Sequence, residues 1–100
     1  AGAAAATTCQ RLAGVDFREH AMITCYPGET RGRYPRHCDT SHGAVLTATF
    51  YLNEDWRLED GGCLRIFEEG DGNTRVKDDV LPVANRLLVF WATAEVPHEV

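Results

Sequence analysis

The stretch Leu46-Thr47-Ala48-Thr49-Phe50-Tyr51-Leu52 alternates apolar and hydroxyl-bearing side chains without a break. Successive side chains of an extended strand point to opposite faces, so a period of two predicts a strand and argues against a helix. Leu46, Ala48, Phe50 and Leu52 make one apolar face. Thr47, Thr49 and Tyr51 make the other, which suits the lining of a polar pocket. Further short apolar runs bounded by turn residues continue the pattern. Ala21 to Tyr26 ends at Pro27-Gly28, and Cys63 to Phe67 lies between Asp60-Gly61-Gly62 and the glycine-bearing loop Glu68 to Asn73. Val80-Leu81-Pro82-Val83 reads as a short edge strand, where Pro is tolerated. Arg86 to Trp91 is almost wholly apolar, the mark of a strand buried on both faces. Pro97 to Val100 starts one more. Several short strands with turns between them predict an all-β sandwich or barrel. The single helical expectation is an Ala-rich segment over about 3–14, stopping near Gly14.

With 100 residues the chain has room for one domain and one core. Its net charge of −5, with no run of Lys or Arg, argues against a nucleic-acid backbone or an anionic membrane as the main partner. No apolar run approaches the ~20 residues of a membrane-spanning helix. The opening Ala1-Gly2-Ala3-Ala4-Ala5-Ala6 lacks a basic flank and an initiator Met, so residues 1–20 are expected to be an edge segment rather than a signal peptide. Four cysteines, Cys9, Cys25, Cys38 and Cys63, form no C-x-x-C pair. Because the apolar content suffices for a core without disulfides, reduced thiols and an intracellular setting are expected.

Chemistry is concentrated at His37-Cys38-Asp39 and at His98. On an extended strand His37 and Asp39 point to one face while Cys38 points away. Two imidazoles and one carboxylate make the facial triad of non-haem Fe(II) oxygenases, which leaves coordination positions open for a cosubstrate and O2. Two blander arrangements compete with it. In one, His37 and Asp39 are a surface ion pair and His98 an ordinary exposed His; in the other, His37, Cys38, Asp39 and His42 form a local zinc cluster, although Cys38 and His37 point to opposite faces of an extended segment. Tyr26, Tyr34 and Tyr51 can donate hydrogen bonds into a pocket or pack in the core. Met22, Trp56 and Trp91 are expected in the core or over it. Arg65 points either to solvent or to the cleft.

Six motifs then stand in order: Tyr26-Pro27-Gly28, Tyr34-x-Arg36-His37-x-Asp39, Tyr51-Leu52-Asn53-x-Asp55-Trp56, Gly61-Gly62-x-Leu64-Arg65-Ile66-Phe67, Arg86-Leu87-Leu88-x-Phe90-Trp91 and Pro97-His98-Glu99-Val100. Together, over about residues 21–100, they resemble the Fe(II)/2-oxoglutarate prolyl hydroxylases, closest to the hypoxia-inducible-factor type. The resemblance implies a double-stranded β-helix, or jelly roll, with iron between its sheets, and a partial dioxygenase domain over 21–100. It implies Fe(II), 2-oxoglutarate and O2 as reactants, ascorbate to keep the iron reduced, and 4-hydroxylation of a proline in a peptide or protein with release of succinate and CO2. Carried over residue by residue, His37, Asp39 and His98 match the metal ligands. Tyr51 matches a tyrosine that hydrogen-bonds 2-oxoglutarate, and Tyr26, Tyr34, Thr47, Thr49, Leu64 and Val100 match positions lining that pocket. The family's Arg that anchors the far carboxylate of 2-oxoglutarate falls beyond Val100. A C-terminally truncated jelly roll, inactive or unstable by itself, is therefore expected. The loop from Asp39 to Thr47 is shorter than in the animal enzymes, and Ala44 replaces an Arg near their substrate entrance. A non-catalytic jelly-roll binding module and an oxygenase of small molecules are the alternative functions.

Overall fold

A computed structural model describes residues 7–100, except for the side chains of Cys9 and His42. Five strands are present: β1 (Leu46–Phe50), β2 (Leu64–Phe67), β3 (Val76–Val80), β4 (Leu87–Trp91) and β5 (His98–Glu99). All pairings among them are antiparallel, in a two-stranded sheet β1-β4 and a three-stranded sheet β3-β2-β5. The chain thus leaves the first sheet after β1, makes the β2–β3 hairpin in the second, returns with β4 and crosses again to β5. This shuttling between two sheets is the winding of a jelly roll. The buried core is small and gathered where the sheets meet: Leu64, Phe67, Phe90, Ala92 and Pro97, with His98 among them.

The β1–β4 register places Thr47 opposite Phe90 and Thr49 opposite Leu88, and on the other face Leu46 opposite Trp91 and Ala48 opposite Val89. The sequence pattern gives the two faces of β1 correctly but not which one turns inward. The hydroxyl face lies toward the second sheet, and Leu46, Phe50, Leu87 and Val89 lie outward and exposed. The expectation that the strand at Arg86 to Trp91 is buried on both faces is therefore corrected. Leu87 is 62% exposed and Val89 49%, and only Phe90 of that strand is fully buried. Near Trp91 the outer face is covered by helix α1 (Thr8–Leu12), whose Arg11 stacks 3.7 Å from the Trp91 ring centroid and pairs with Glu95 at 2.7 Å.

Helix α1 starts after its cap at Thr7 and ends at Leu12, two residues before the predicted end near Gly14. The Thr7 hydroxyl accepts from the Gln10 amide while the Gln10 side chain accepts from the Thr7 amide, and the helix starts after a cap of this kind. The part of that expectation on residues 1–6 lies outside the described residues. Residues 21–26, predicted as a strand, form no ladder, and Met22 and Ile23 are 86% and 94% exposed, so Met22 is not a core residue. Val-Lys-Asp-Asp-Val at 76–80 carries no apolar alternation, yet it forms β3 by pairing with β2. The predicted edge strand at Val80 to Val83 contributes only Val80 to β3, with Val83 forming an isolated bridge to Asn53. Trp56 is half-buried and donates its indole N–H to the Gly61 carbonyl at 2.8 Å. Arg65 points to solvent and forms a two-pronged ion pair with Asp79.

Candidate metal centre

The segment carrying His37 is hydrogen-bonded to β5. The His37 amide donates to the His98 carbonyl and the His98 amide to the His37 carbonyl, both at 2.9 Å. Tyr34 and Val100 exchange the same two bonds at 3.0 Å. Between these pairs the chain advances three residues on one side, 34 to 37, and two on the other, 98 to 100. The extra residue is a β-bulge, with Pro35 and Arg36 together opposite Glu99. Pro suits this position because its missing N–H removes nothing from the ladder. One consequence is that Tyr34 and His37, three positions apart, lie on the same side, with ring centroids 4.0 Å apart. Arg36 points the other way, donates from Nη2 to the Gly70 carbonyl at 2.8 Å and lies 5.5 Å from the Phe67 ring centroid, tying the bulge to the β2–β3 loop.

Past His37 the chain crosses toward the first sheet. Asp39 Oδ1 lies 3.2 Å from His37 Nε2, Asp39 Oδ2 lies 3.5 Å from His98 Nε2, and the Thr47 hydroxyl of β1 donates to Asp39 Oδ2 at 2.8 Å. His37, Asp39 and His98 each offer a ligand atom within 4.8 Å of the others. Both rings are oriented alike. His37 Nδ1 lies 2.8 Å from the Pro35 carbonyl and His98 Nδ1 lies 2.9 Å from that of Val96. A carbonyl only accepts, so each Nδ1 donates, and each Nε2 is left turned toward the Asp39 carboxylate. This is the orienting contact that metal-binding histidines use. Phe90, from the inner face of β4, stands edge-on to His98, with centroids 4.8 Å apart and planes at 65°. The cluster therefore sits between the two sheets, held by backbone on one side and by Thr47 and Phe90 on the other.

The blander pairing of His37 with Asp39 does not stand alone: their contact is one side of a three-residue cluster with the buried His98. Cys38, between His37 and Asp39, is not part of it, and the expectation on His42 falls on a side chain outside the described residues. Cys25, Cys38 and Cys63 are free thiols.

The remaining predicted positions lie on or next to β1, on β2, in the segment before His37 and at Val100. Thr49 shares the inner face of β1 with Thr47, and Tyr51 follows the strand, its amide bonded to Arg86. The Tyr51 hydroxyl oxygen is buried and has no hydrogen-bond partner among the described residues. Burial pushes its ionisation upward, with smaller contributions from Cys63 and Tyr26 in the same direction, against an opposing pull from Arg86. Tyr26 is also shifted upward, first by burial and then by Tyr34 and Asp39, so it stands within electrostatic reach of the carboxylate. Tyr26 and Tyr34 are 40% and 50% exposed. Leu64 is buried on β2, and Val100 is half-buried beside Tyr34. Sequence reasoning missed Phe90 and the bulge at Pro35; the Pro inside a pairing segment was the available signal for the second.

The model of the 2OG-Fe(II) oxygenase superfamily matches residues 21–100. The chain belongs to that superfamily. Among its relatives is the prolyl hydroxylase EGLN3 of Mus musculus, 44% identical over 89 residues that cover 86% of this chain and 36% of the relative. Another is Egl nine homolog 1 of Homo sapiens, 43% identical over 89 residues covering 86% of this chain and 20% of the relative. The chain thus spans about a third or less of the length of these relatives. Among solved structures, a Pseudomonas putida prolyl-4-hydroxylase superposes with a TM-score of 0.58 at 46% identity, covering 73% of this chain and 35% of that one. A Trichoplax adhaerens prolyl hydroxylase, in complex with a peptide fragment of the hypoxia-inducible-factor oxygen degradation domain, gives the same score at 35% identity. It covers 68% of this chain and 30% of that one.

Membership of the 2OG-Fe(II) oxygenases implies Fe(II) and 2-oxoglutarate. The residues present fit both. Two neutral imidazoles and a carboxylate are the donor set that suits Fe(II) and leaves positions open. A buried, protonated Tyr51 hydroxyl without a partner is a donor available to an anionic cosubstrate.

Proposed function

We propose that this chain carries the metal-binding part of a 2-oxoglutarate-dependent dioxygenase that 4-hydroxylates proline in a peptide or protein. The observation that carries the reading is the convergence of His37, Asp39 and His98 in a sequence 44% identical to a prolyl hydroxylase. In this reading residues 21–100 are part of the dioxygenase domain and residues 1–20 are an edge segment whose helix packs on β4. His37, Asp39 and His98 hold the iron. When bound, Fe(II) with 2-oxoglutarate and O2 couples decarboxylation of the oxo acid, to succinate and CO2, with hydroxylation of the proline; ascorbate restores iron that has been oxidised.

The chain's own part is placement and exclusion of water. The carbonyls of Pro35 and Val96 hold the two Nε2 lone pairs toward one point. Tyr51 donates to 2-oxoglutarate, and Tyr26, Tyr34, Thr47, Thr49, Leu64 and Val100 line its pocket. Phe90 and Leu64, both buried, keep the inner wall dry. The peptide complex of the Trichoplax adhaerens relative supports a peptide substrate, and the free thiols of Cys25, Cys38 and Cys63 support an intracellular setting.

The test is conversion of 2-oxoglutarate to succinate by the full-length protein with Fe(II), with and without a proline-containing peptide, in wild type and His37→Ala. Turnover that requires the peptide and disappears with His37 supports the hydroxylase. A folded protein that binds neither metal nor 2-oxoglutarate is instead a non-catalytic jelly-roll module. Turnover driven by free proline or another small molecule would move the assignment to a small-molecule oxygenase.

A further inference from the structure

Asp39 differs from the two histidines in how it is held. Each imidazole is fixed by a backbone carbonyl two residues before it, whereas the Asp39 side chain receives its only hydrogen bond outside the cluster, among the described residues, from the Thr47 hydroxyl at 2.8 Å. Thr47 is on β1, in the other sheet from β5, and its position is fixed by the ladder that sets it opposite Phe90. The hydroxyl donates to Oδ2, which lies 3.5 Å from His98 Nε2, while Oδ1 lies 3.2 Å from His37 Nε2 and, among the described residues, accepts no hydrogen bond from outside the cluster. A carboxylate can bind a metal through one oxygen or chelate it through both. A hydrogen bond to one oxygen selects between these modes.

We propose that Thr47 is a positioning residue of the metal centre: its hydroxyl occupies Asp39 Oδ2, so that Asp39 presents Oδ1 as a single-oxygen ligand and leaves the neighbouring coordination position open. This rests on the metal-binding reading above and adds to it a role for Thr47 distinct from lining the 2-oxoglutarate pocket. The β-branched side chain suits the task, since Thr has few χ1 choices on a strand and its hydroxyl is held in one direction without a second support. Partners of this kind typically change metal affinity or activity by 10–100-fold when removed.

The experiment compares Thr47→Ser and Thr47→Ala in the full-length protein. Both lose the methyl group, and they differ only in the hydroxyl, so packing effects cancel between them. Mn(II) affinity is measured by titration calorimetry without 2-oxoglutarate, and the Co(II) absorption spectrum of each variant reports coordination number. Thr47→Ser is expected to stay within a few-fold of wild type, while Thr47→Ala loses at least ~10-fold in Mn(II) affinity or shows a Co(II) spectrum of changed coordination number. Equal affinities and identical spectra for the two variants would overturn the proposal, leaving Thr47 as a pocket-lining residue only. Absence of Mn(II) binding by wild type would instead remove the metal-centre reading itself. Should Thr47→Ala fail to fold, Thr47→Val, which keeps the shape and loses the donor, takes its place under the same criterion.

Discussion

His37 and His98 face each other across an antiparallel bridge, and each turns its Nδ1 to the carbonyl two residues earlier in its own chain. The two differ in burial. His98 is 4% exposed and lies in the middle of a sheet, between β2 and the His37 segment, whereas His37 is only half-buried. Both His37→Ala and His98→Ala should abolish metal binding, but only the second should weaken the fold, because it opens a cavity beside Phe90 and leaves the Val96 carbonyl without its donor. A cost of about 1–3 kcal/mol is expected for His98→Ala. Urea unfolding of the two variants without metal checks this; equal midpoints would mean that His98 does not support the core.

Tyr51→Phe separates stability from cosubstrate binding. The Tyr51 hydroxyl is buried without a partner, so removing it should leave the ligand-free protein equally stable or stabilise it by about 1 kcal/mol. Affinity for 2-oxoglutarate should fall about tenfold, the worth of a hydrogen bond to a charged group. Because burial raises the tyrosine's ionisation in the folded state, the stability tied to the neutral hydroxyl is whole below the ordinary tyrosine range and is lost as pH rises toward the shifted value. The alkaline limb of stability should therefore be shallower in Tyr51→Phe. An unchanged limb together with unchanged 2-oxoglutarate affinity would refute this role for Tyr51.

On the acid side, the Arg65 guanidinium grips both oxygens of Asp79 at 2.8 and 2.9 Å and holds that carboxyl below its usual range. Glu95 is lowered in the same way by Arg11 and then by Thr93. A lowered folded value means that the unfolded chain binds more protons in the window below the ordinary carboxylate range. The contribution is thus complete above that range and is lost as pH falls through the depressed values. Asp79→Asn should flatten part of the acid limb, with Glu95 supplying the remainder. Both pairs are solvent-exposed, so the effect should be small and should shrink further in high salt. Urea midpoints against pH at two salt concentrations test this, and an acid limb that Asp79→Asn leaves unaltered would exclude the pair.

Gly32 closes the turn after Tyr26, its amide donating to the Pro27 carbonyl at 3.0 Å. A Cβ at this position would stand 3.0 Å from Tyr26 Cα and 3.1 Å from the Pro27 ring nitrogen, atoms that cannot rotate away. Gly32→Ala should open the turn at a cost of about 1–3 kcal/mol and move Tyr26 away from Asp39. Faster limited proteolysis within residues 20–34 is the expected sign. Cleavage at the wild-type rate would show that the turn absorbs the methyl group.

The grouping of His37, Asp39 and His98 was legible because its chemistry is carried by residue types, although Asp39 reaches the cluster from a chain that has already left the ladder at His37. The fold class was legible from the alternation of Leu46 to Leu52. Orientation was not. An apolar face is ordinarily the buried one, yet here Thr47 and Thr49 turn inward, the Thr47 hydroxyl on Asp39, and Leu46, Phe50 and Val89 are left outward. Strand β3 escaped notice because its residues, Val-Lys-Asp-Asp-Val, earn their place from backbone pairing with β2 and from Arg65, neither of which leaves a periodic trace. The unpaired course of residues 21–26 was invisible for the converse reason. β-Branched composition marks a capacity to pair, and pairing needs a neighbour.

The bulge at Pro35–Arg36 acts as a phase shifter. Ahead of it the chain keeps one alternation against β5 and after it the opposite one, so Tyr34 and His37, three residues apart, still face the same way. Without the bulge the same three-residue interval would follow the plain alternation of a strand and turn His37 away from Tyr34 and Asp39. The candidate metal centre depends in this sense on where the ladder takes up an unpaired residue.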